Sequence, residues 1–242
     1  MFQHPIFRPL TARQRALRDR LKGRCLIIEG NVGAGKSTLT AYVAAYCRDV
    51  LHLSGSCALA EDMRPELLRY FVGDQQRRAF ATQLAMMFKR KGTEQRAADH
   101  LAQHRDACVV MDRSMAGDHA FARMHWRAGR ISDEERDVYD VEANALHFLT
   151  PLLAVWLRND VETTLKARIR ERNRPAETQF YLVDEPDYLA KLECAYAETM
   201  TPAELGCPVV SVDWNAHVEG GALTDAHVED FLARVCLTLE AY

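Results

Sequence analysis

Gly30-Asn31-Val32-Gly33-Ala34-Gly35-Lys36-Ser37-Thr38 decides how this chain is read. The stretch satisfies the phosphate-loop pattern G-x-x-x-x-G-K-[ST] without a mismatch. Its flanks agree. Cys25 to Glu29 is a short apolar run that predicts a buried strand, and Leu39 to Cys47 carries Ala, Tyr and Val at helical spacing. Glycines let successive backbone N–H groups close around phosphate oxygens, and the N-terminus of the following helix adds a favourable dipole. In that setting Lys36 is expected to reach the terminal phosphates and the Ser37 hydroxyl to ligate Mg²⁺. The whole loop, Gly30 to Thr38, is the expected ATP-binding element.

Outward from the loop, four more short apolar runs alternate with helical patterns. Val50 to Leu53, Ala107 to Met111, Leu152 to Leu157 and Pro208 to Val212 predict strands. Between them lie a short helix from Pro65 to Phe71 and a long one from about Gln76 to His104, with Phe80, Leu84, Met87 and Phe88 expected on one apolar face. Helical patterns also cover roughly 115–128, 133–148, 160–174, 186–200 and 224–239. Strands alternating with helices predict an α/β fold, a five-stranded parallel sheet covered on both faces. Ligands in such sheets bind beyond the carboxyl ends of the strands.

The chain has 242 residues, 48% hydrophobic, with a formal net charge of −3. That is enough apolar material for one full core, and the balance points to neither nucleic acid nor a membrane surface as partner. No apolar run approaches the roughly 18 residues of a membrane helix. Seven cysteines, scattered and without a C-x-x-C, read as reduced thiols of an intracellular protein. The first 24 residues hold seven Arg or Lys against one acid, Asp19. A solvated basic helix leading into the first strand is the expectation there, with organelle targeting as the alternative. Residues 1–23 are accordingly read as a basic extension and 24–242 as the domain.

Two further elements narrow the chemistry. Asp112 directly follows the third strand, where a carboxylate can hold Mg²⁺ or its water shell, and Arg113 beside it can neutralise charge on a transferred phosphoryl group. Arg168-Ile169-Arg170-Glu171-Arg172-Asn173-Arg174 places arginine at every second position. That spacing suits a helix end running into a loop, with guanidinium groups aimed several ways. It fits a lid that clamps a polyphosphate.

On these residues, with Leu157-Arg158, Glu177 and Val212-Asp213-Trp214-Asn215 after the fifth strand, the chain resembles the deoxynucleoside kinase family. The resemblance runs from about residue 24 to the C-terminus. It implies transfer of the γ-phosphate of ATP to the 5′-hydroxyl of a deoxyribonucleoside, as a cytoplasmic homodimer with small-molecule partners. It implies Arg170 and Arg172 near the transferred phosphate, and Arg168, Arg172 and Asp213 near ATP. Gln83, Arg90 and Asp118 stand where members that accept cytosine or purine bases recognise the base edge, and Phe121 where a ring stacks on it. Arg113, Arg174, Glu177 and Tyr70, with Phe71 as alternative to Tyr70, fall to the nucleoside. Arg90 could instead belong to a solvated run, Lys89-Arg90-Lys91. The family's Glu-Pro after strand two is replaced by Ser54-Gly55-Ser56-Cys57. Glu61 is the expected general base in its stead, and Arg113 then needs a new partner. The rivals are a monophosphate kinase of the thymidylate type and a nucleotide-binding homologue that turns over slowly for want of a base.

Overall fold

The computed structural model describes residues 9–47, 50–53, 64–145, 149–215 and 225–241. Five strands, β1 (Arg24–Gly30), β2 (Val50–Leu53), β3 (Cys108–Asp112), β4 (Leu153–Arg158) and β5 (Val209–Asp213), form one sheet in the order β2-β3-β1-β4-β5. Every pairing is parallel, with Ile28 beside Asp112 and Val155, and Gly30 beside Leu157. The central strands are buried along nearly their whole length, which explains their unbroken runs of Val, Ile and Leu. The chain starts in the middle of the sheet, leaves to one side for β2 and β3, and crosses to the other for β4 and β5. The reversal at β1 opens a crevice beyond the strand ends, and both the glycine-rich loop and Asp112 lie there.

Eleven helices cover the sheet among the described residues. They are α1 (Ala12–Leu21), α2 (Lys36–Tyr46), α3 (Arg64–Val72), α4 (Gln75–Gln103), α5 (Met115–Arg127), α6 (Asp133–Asn144), α7 (Lys166–Arg172), α8 (Pro175–Gln179), α9 (Tyr188–Thr199), α10 (Pro202–Leu205) and α11 (Asp225–Ala241). Two wide turns, Val161–Leu165 and Phe180–Asp184, precede α7 and follow α8. Helix α1 has a Thr11–Gln14 capping box, and Leu17 and Leu21 are fully buried. Part of the basic segment is therefore packed into the core, while Arg13 pairs with Glu229 and Arg20 donates to the Leu239 carbonyl on α11. No helix among the described residues is long and apolar enough to cross a membrane.

The long helix departs from the expected apolar face. Met87 is buried, but Phe88 is 56% exposed. The buried face of α4 instead carries Thr82, Gln83, Arg90, Lys91, Thr93 and Glu94. An apolar count cannot detect such a face, because these polar groups are buried by pairing with neighbouring elements rather than by their own hydrophobicity.

Candidate active site

The glycine-rich loop leaves β1 at Gly30 and enters α2 at Lys36. Gly30 passes so close to β4 that a Cβ there would lie 2.7 Å from the Leu157 carbonyl oxygen. Gly35 takes φ 92° at the helix N-cap, a left-handed backbone that favours glycine. Asn31 ties the loop to α9: its Oδ1 accepts from the Val32 N–H at 2.8 Å, and its Nδ2 donates to the Leu189 carbonyl at 2.8 Å and to Glu193 at 3.0 Å. The Lys36 ammonium folds over the loop and donates to the carbonyls of Gly30 and Asn31 at 2.9 and 2.6 Å. Burial, with the Arg113 charge nearby, lowers its pKa to about 7. Ser37 Oγ donates to Asp112 Oδ2. The other carboxylate oxygen of Asp112 is buried without a hydrogen bond among the described residues. A hydroxyl and a carboxylate so disposed suit Mg²⁺, which is commonly held by one or two carboxylates and substrate phosphates.

Arg113 is a non-glycine residue with φ 73°. Left-handed backbone of this kind costs on the order of 1–3 kcal/mol and persists where the surroundings impose it. Here the imposed result is a guanidinium aimed inward. Its Nη1 donates to the Tyr196 hydroxyl at 2.6 Å, and its centre lies 5.2 Å above the Phe121 ring. Tyr196 and Phe121 are thus the partners the sequence left unnamed.

A cavity of about 440 Å³ joins these pieces. One end is lined by Val32, Gly33, Lys36, Ser37, Asp112 and Arg113. The other is lined by Gln83, Arg90, Asp118 and Phe121, with Tyr70 and Phe71 both contributing from α3, and Arg172 at the end of α7, Arg174 at the α8 N-cap and Glu177 on α8 also line the cavity. Arg90 is 1% exposed and its Nε lies 3.7 Å from Asp118 Oδ2. The solvated-run reading of Lys89-Arg90-Lys91 is therefore overturned: Arg90 and Lys91 point inward, and Lys91 donates to the Glu142 carbonyl of α6. Burial raises the Asp118 pKa, while Arg90 opposes the shift. Gln83 Nε2 donates to the Asp118 carbonyl at 3.4 Å.

The arginines after β4 do aim several ways. Arg168 donates to the carbonyls of Gly33 and Ala34 at 3.3 and 3.1 Å and to that of Trp214 at 3.2 Å. Arg172 and Arg174 hold buried Glu177 at 3.3 and 2.9 Å. The αL residue Asn173 ends α7 and turns the chain between them. Arg170 is exposed and outside the cavity lining. Asp213 is also exposed, 4.0 Å from Arg158, and outside that lining. Thr38 and Ala34 belong to the loop and its helix but do not line the cavity. Glu61, the expected base, and Gly55 and Ser56 lie outside the described residues.

Several contributors escaped the sequence reading. His125 lines the cavity, and its Nε2 lies 3.4 Å from the Tyr70 hydroxyl and 3.3 Å from that of Tyr188. Burial, aided by Arg130, lowers its pKa to about 3, so it is neutral. Its position seven residues past Asp118 on α5 was the available signal. Two buried carboxylates hold the start of α5 from behind. Glu29 Oε1 accepts from the Ser114 N–H and hydroxyl and from the Gly117 N–H, and Glu94 Oε1 accepts from the Met115 N–H at 3.0 Å.

Comparison with known proteins bears on the family and the fold. The family model for deoxynucleoside kinase matches residues 26–235. Deoxyguanosine kinase of Lactobacillus acidophilus is 29% identical over 175 residues, which cover 69% of this chain and 71% of that protein. The solved deoxyadenosine kinase from M. mycoides, with products dCMP and a flexible dCDP bound, superposes with a TM-score of 0.69 at 20% identity, over 87% of this chain and 98% of that one. The same enzyme with bound dATP superposes with a TM-score of 0.68 at 20% identity, over 88% and 98%. At that identity the superpositions establish the fold.

Proposed function

The chain belongs to the deoxynucleoside kinase family and is a kinase, and we propose that it moves the γ-phosphate of Mg-ATP to the 5′-hydroxyl of a deoxyribonucleoside, with a purine or cytosine base favoured over thymine. The observation that carries this reading is the single cavity lined by Lys36, Ser37 and Asp112 at one end and by Gln83, Arg90 and Asp118 at the other.

Mg²⁺ would be held by Ser37 and Asp112 and, when bound, neutralises charge on the transferred phosphoryl group. The loop N–H groups and Lys36 would hold the donor phosphates. Arg113, Arg172 and Arg174 bring positive charge to the cavity, where it would meet the charge that develops on the equatorial oxygens. Arg168, bound to loop carbonyls, would keep the loop in shape against the lid. Arg170 stands nearer solvent, where a guanidinium could reach the outer part of a bound triphosphate, and Asp213, whose carboxylate would repel phosphate, is left to the nucleoside part of ATP. Glu177 and Tyr70 would take the sugar, and Phe121 the face of the base. The Arg90–Asp118 pair sets donors and an acceptor at the base edge, and its likeness to the pair of family members that take cytosine or purine bases, absent from thymidine-accepting ones, is what favours those bases. Glu61 remains our choice of general base, a role typically worth about 10²–10⁴-fold.

A homodimer and a cytoplasmic location complete the reading. Exposed Phe88 on α4 and exposed Val138 and Val141 on α6 support an apolar self-association surface. None of the six described cysteines is in a disulfide.

The test is phosphorylation of each deoxynucleoside and each monophosphate from labelled ATP, by wild type and by Glu61→Gln. Turnover of monophosphates alone would overturn the reading in favour of the thymidylate-type rival, and ATP binding without turnover would favour the slow homologue. Full activity in Glu61→Gln would remove Glu61 as the base.

A further inference from the structure

Asn31 is fully buried, and its side-chain amide is completely used. Oδ1 accepts the Val32 N–H at 2.8 Å, and Nδ2 donates to the Leu189 carbonyl at 2.8 Å and to Glu193 Oε2 at 3.0 Å. The backbone carbonyl of the same residue accepts from the Lys36 ammonium at 2.6 Å and from the Ala34 N–H at 3.3 Å. A displacement of Asn31 therefore moves the first turn of the loop and the support of its lysine together.

The helix that receives Asn31 is firmly seated. Leu189, Leu192 and Tyr196 of α9 are fully buried, and the Tyr196 hydroxyl accepts from Arg113 at 2.6 Å. Residues 189, 193 and 196 are spaced i, i+4 and i+7, so one side of α9 meets both the loop and Arg113. The Leu189 bond uses backbone and is there whatever the residue. Glu193 is the part of the brace that the sequence chooses.

We propose that Glu193 is a positioning residue for the phosphoryl donor: through Asn31 it holds the glycine-rich loop against α9 in the shape that receives the donor phosphates. It is half-buried and does not line the cavity, so it acts through Asn31 and touches no reacting atom. This rests on reading the loop as the ATP site. Removing the carboxylate leaves a buried N–H without its partner, which costs more than the bond itself contributes. The relief is a shift of Asn31, which carries Val32 and the Lys36 support with it.

The test combines equilibrium binding of Mg-ATP with steady-state kinetics on deoxyadenosine, deoxyguanosine or deoxycytidine, whichever is turned over best. Glu193→Ala is expected to raise the Kd and KM for ATP about threefold to tenfold, the weight of one hydrogen bond, while the KM for the nucleoside stays within about twofold. Glu193→Met keeps the volume without the oxygen and is expected to match it, so the result does not depend on one variant folding. Glu193→Gln offers an amide oxygen at the same reach and is expected to restore ATP binding. Adding Glu193→Ala to Asn31→Ala is expected to change nothing further, because the partner is already gone.

An ATP Kd unchanged in both Glu193→Ala and Glu193→Met overturns the proposal. So does an equal rise in the nucleoside KM, which a general loss of structure would give, a Glu193→Gln no better than Glu193→Ala, or additivity with Asn31→Ala. If wild type binds no ATP, the donor reading fails and the proposal with it. If wild type binds ATP and the Glu193 variants bind it equally well, only the role of Glu193 is lost.

Discussion

Arg113 Nη1 donates to the Tyr196 hydroxyl at 2.6 Å, and the same hydroxyl lies 3.4 Å from Glu29 Oε2. A guanidinium on the turn after β3 is thereby linked through α9 to the carboxylate that precedes the glycine-rich loop on β1. Tyr196→Phe removes the acceptor from a guanidinium held by strained backbone. The expected result is a loss of about 1–3 kcal/mol in urea unfolding, together with a fall in kcat of roughly tenfold or more from the misplaced Arg113. Unchanged kcat in a correctly folded variant would show that Arg113 is held by its backbone and Phe121 alone.

Gly117→Ala is expected to destabilise, against the usual rule. Within a helix, Ala is normally favoured over Gly by about 1 kcal/mol. Here the added Cβ would lie 2.5 Å from Glu29 Oε2 and 2.9 Å from the other two carboxylate atoms. The carboxylate holds Ser114 and Gly117 and has little room to retreat. A cost of about 1–3 kcal/mol, the range for overpacking, is expected in urea unfolding. A stabilised variant would mean that Glu29 moves freely.

Glu94 also predicts a stability profile. Its folded pKa of about 7 stands above the ordinary glutamate value of 4.5. The fold therefore favours the protonated form. The associated stability is fully present below pH 4.5 and is lost as pH rises through about 7. The shift corresponds to about 3 kcal/mol at most. Wild type minus Glu94→Gln, measured by chemical unfolding at about pH 5 and 8, should fall by that order. A difference that is constant with pH would contradict the raised pKa.

Glu177 is held by Arg172 and Arg174 and is 6% exposed. Glu177→Gln keeps the shape but weakens both ion pairs. On the proposed role, the KM for the nucleoside rises about tenfold or more with the KM for ATP unchanged, since a charge-assisted hydrogen bond contributes about 1.5–3 kcal/mol. An effect on the donor KM alone would assign the residue to the lid arginines rather than to the sugar.

The glycine-rich loop, the five strands and most helices were legible in the chain because their signals are local. A glycine spacing, an unbroken apolar run or a cap needs only neighbouring residues to be recognised. Asp112 and Ser37 could be nominated for the same reason, each by its place at the end of one element. Their contact across 75 positions could not. The polar face of α4 was misread at Phe88 because burial there depends on what α5 and α6 bring to it. The arginine run announced several directions but not their targets, which are the carbonyls of Gly33 and Ala34 and the carboxylate of Glu177. The sequence by itself determined a parallel α/β sheet with a phosphate loop at its crevice. Only the tertiary structure decided that Arg113 rests on Tyr196 and that Glu29 and Glu94 grip α5 from two sides. These are meetings of single polar groups from distant segments, and no propensity or period encodes the partner of a buried charge.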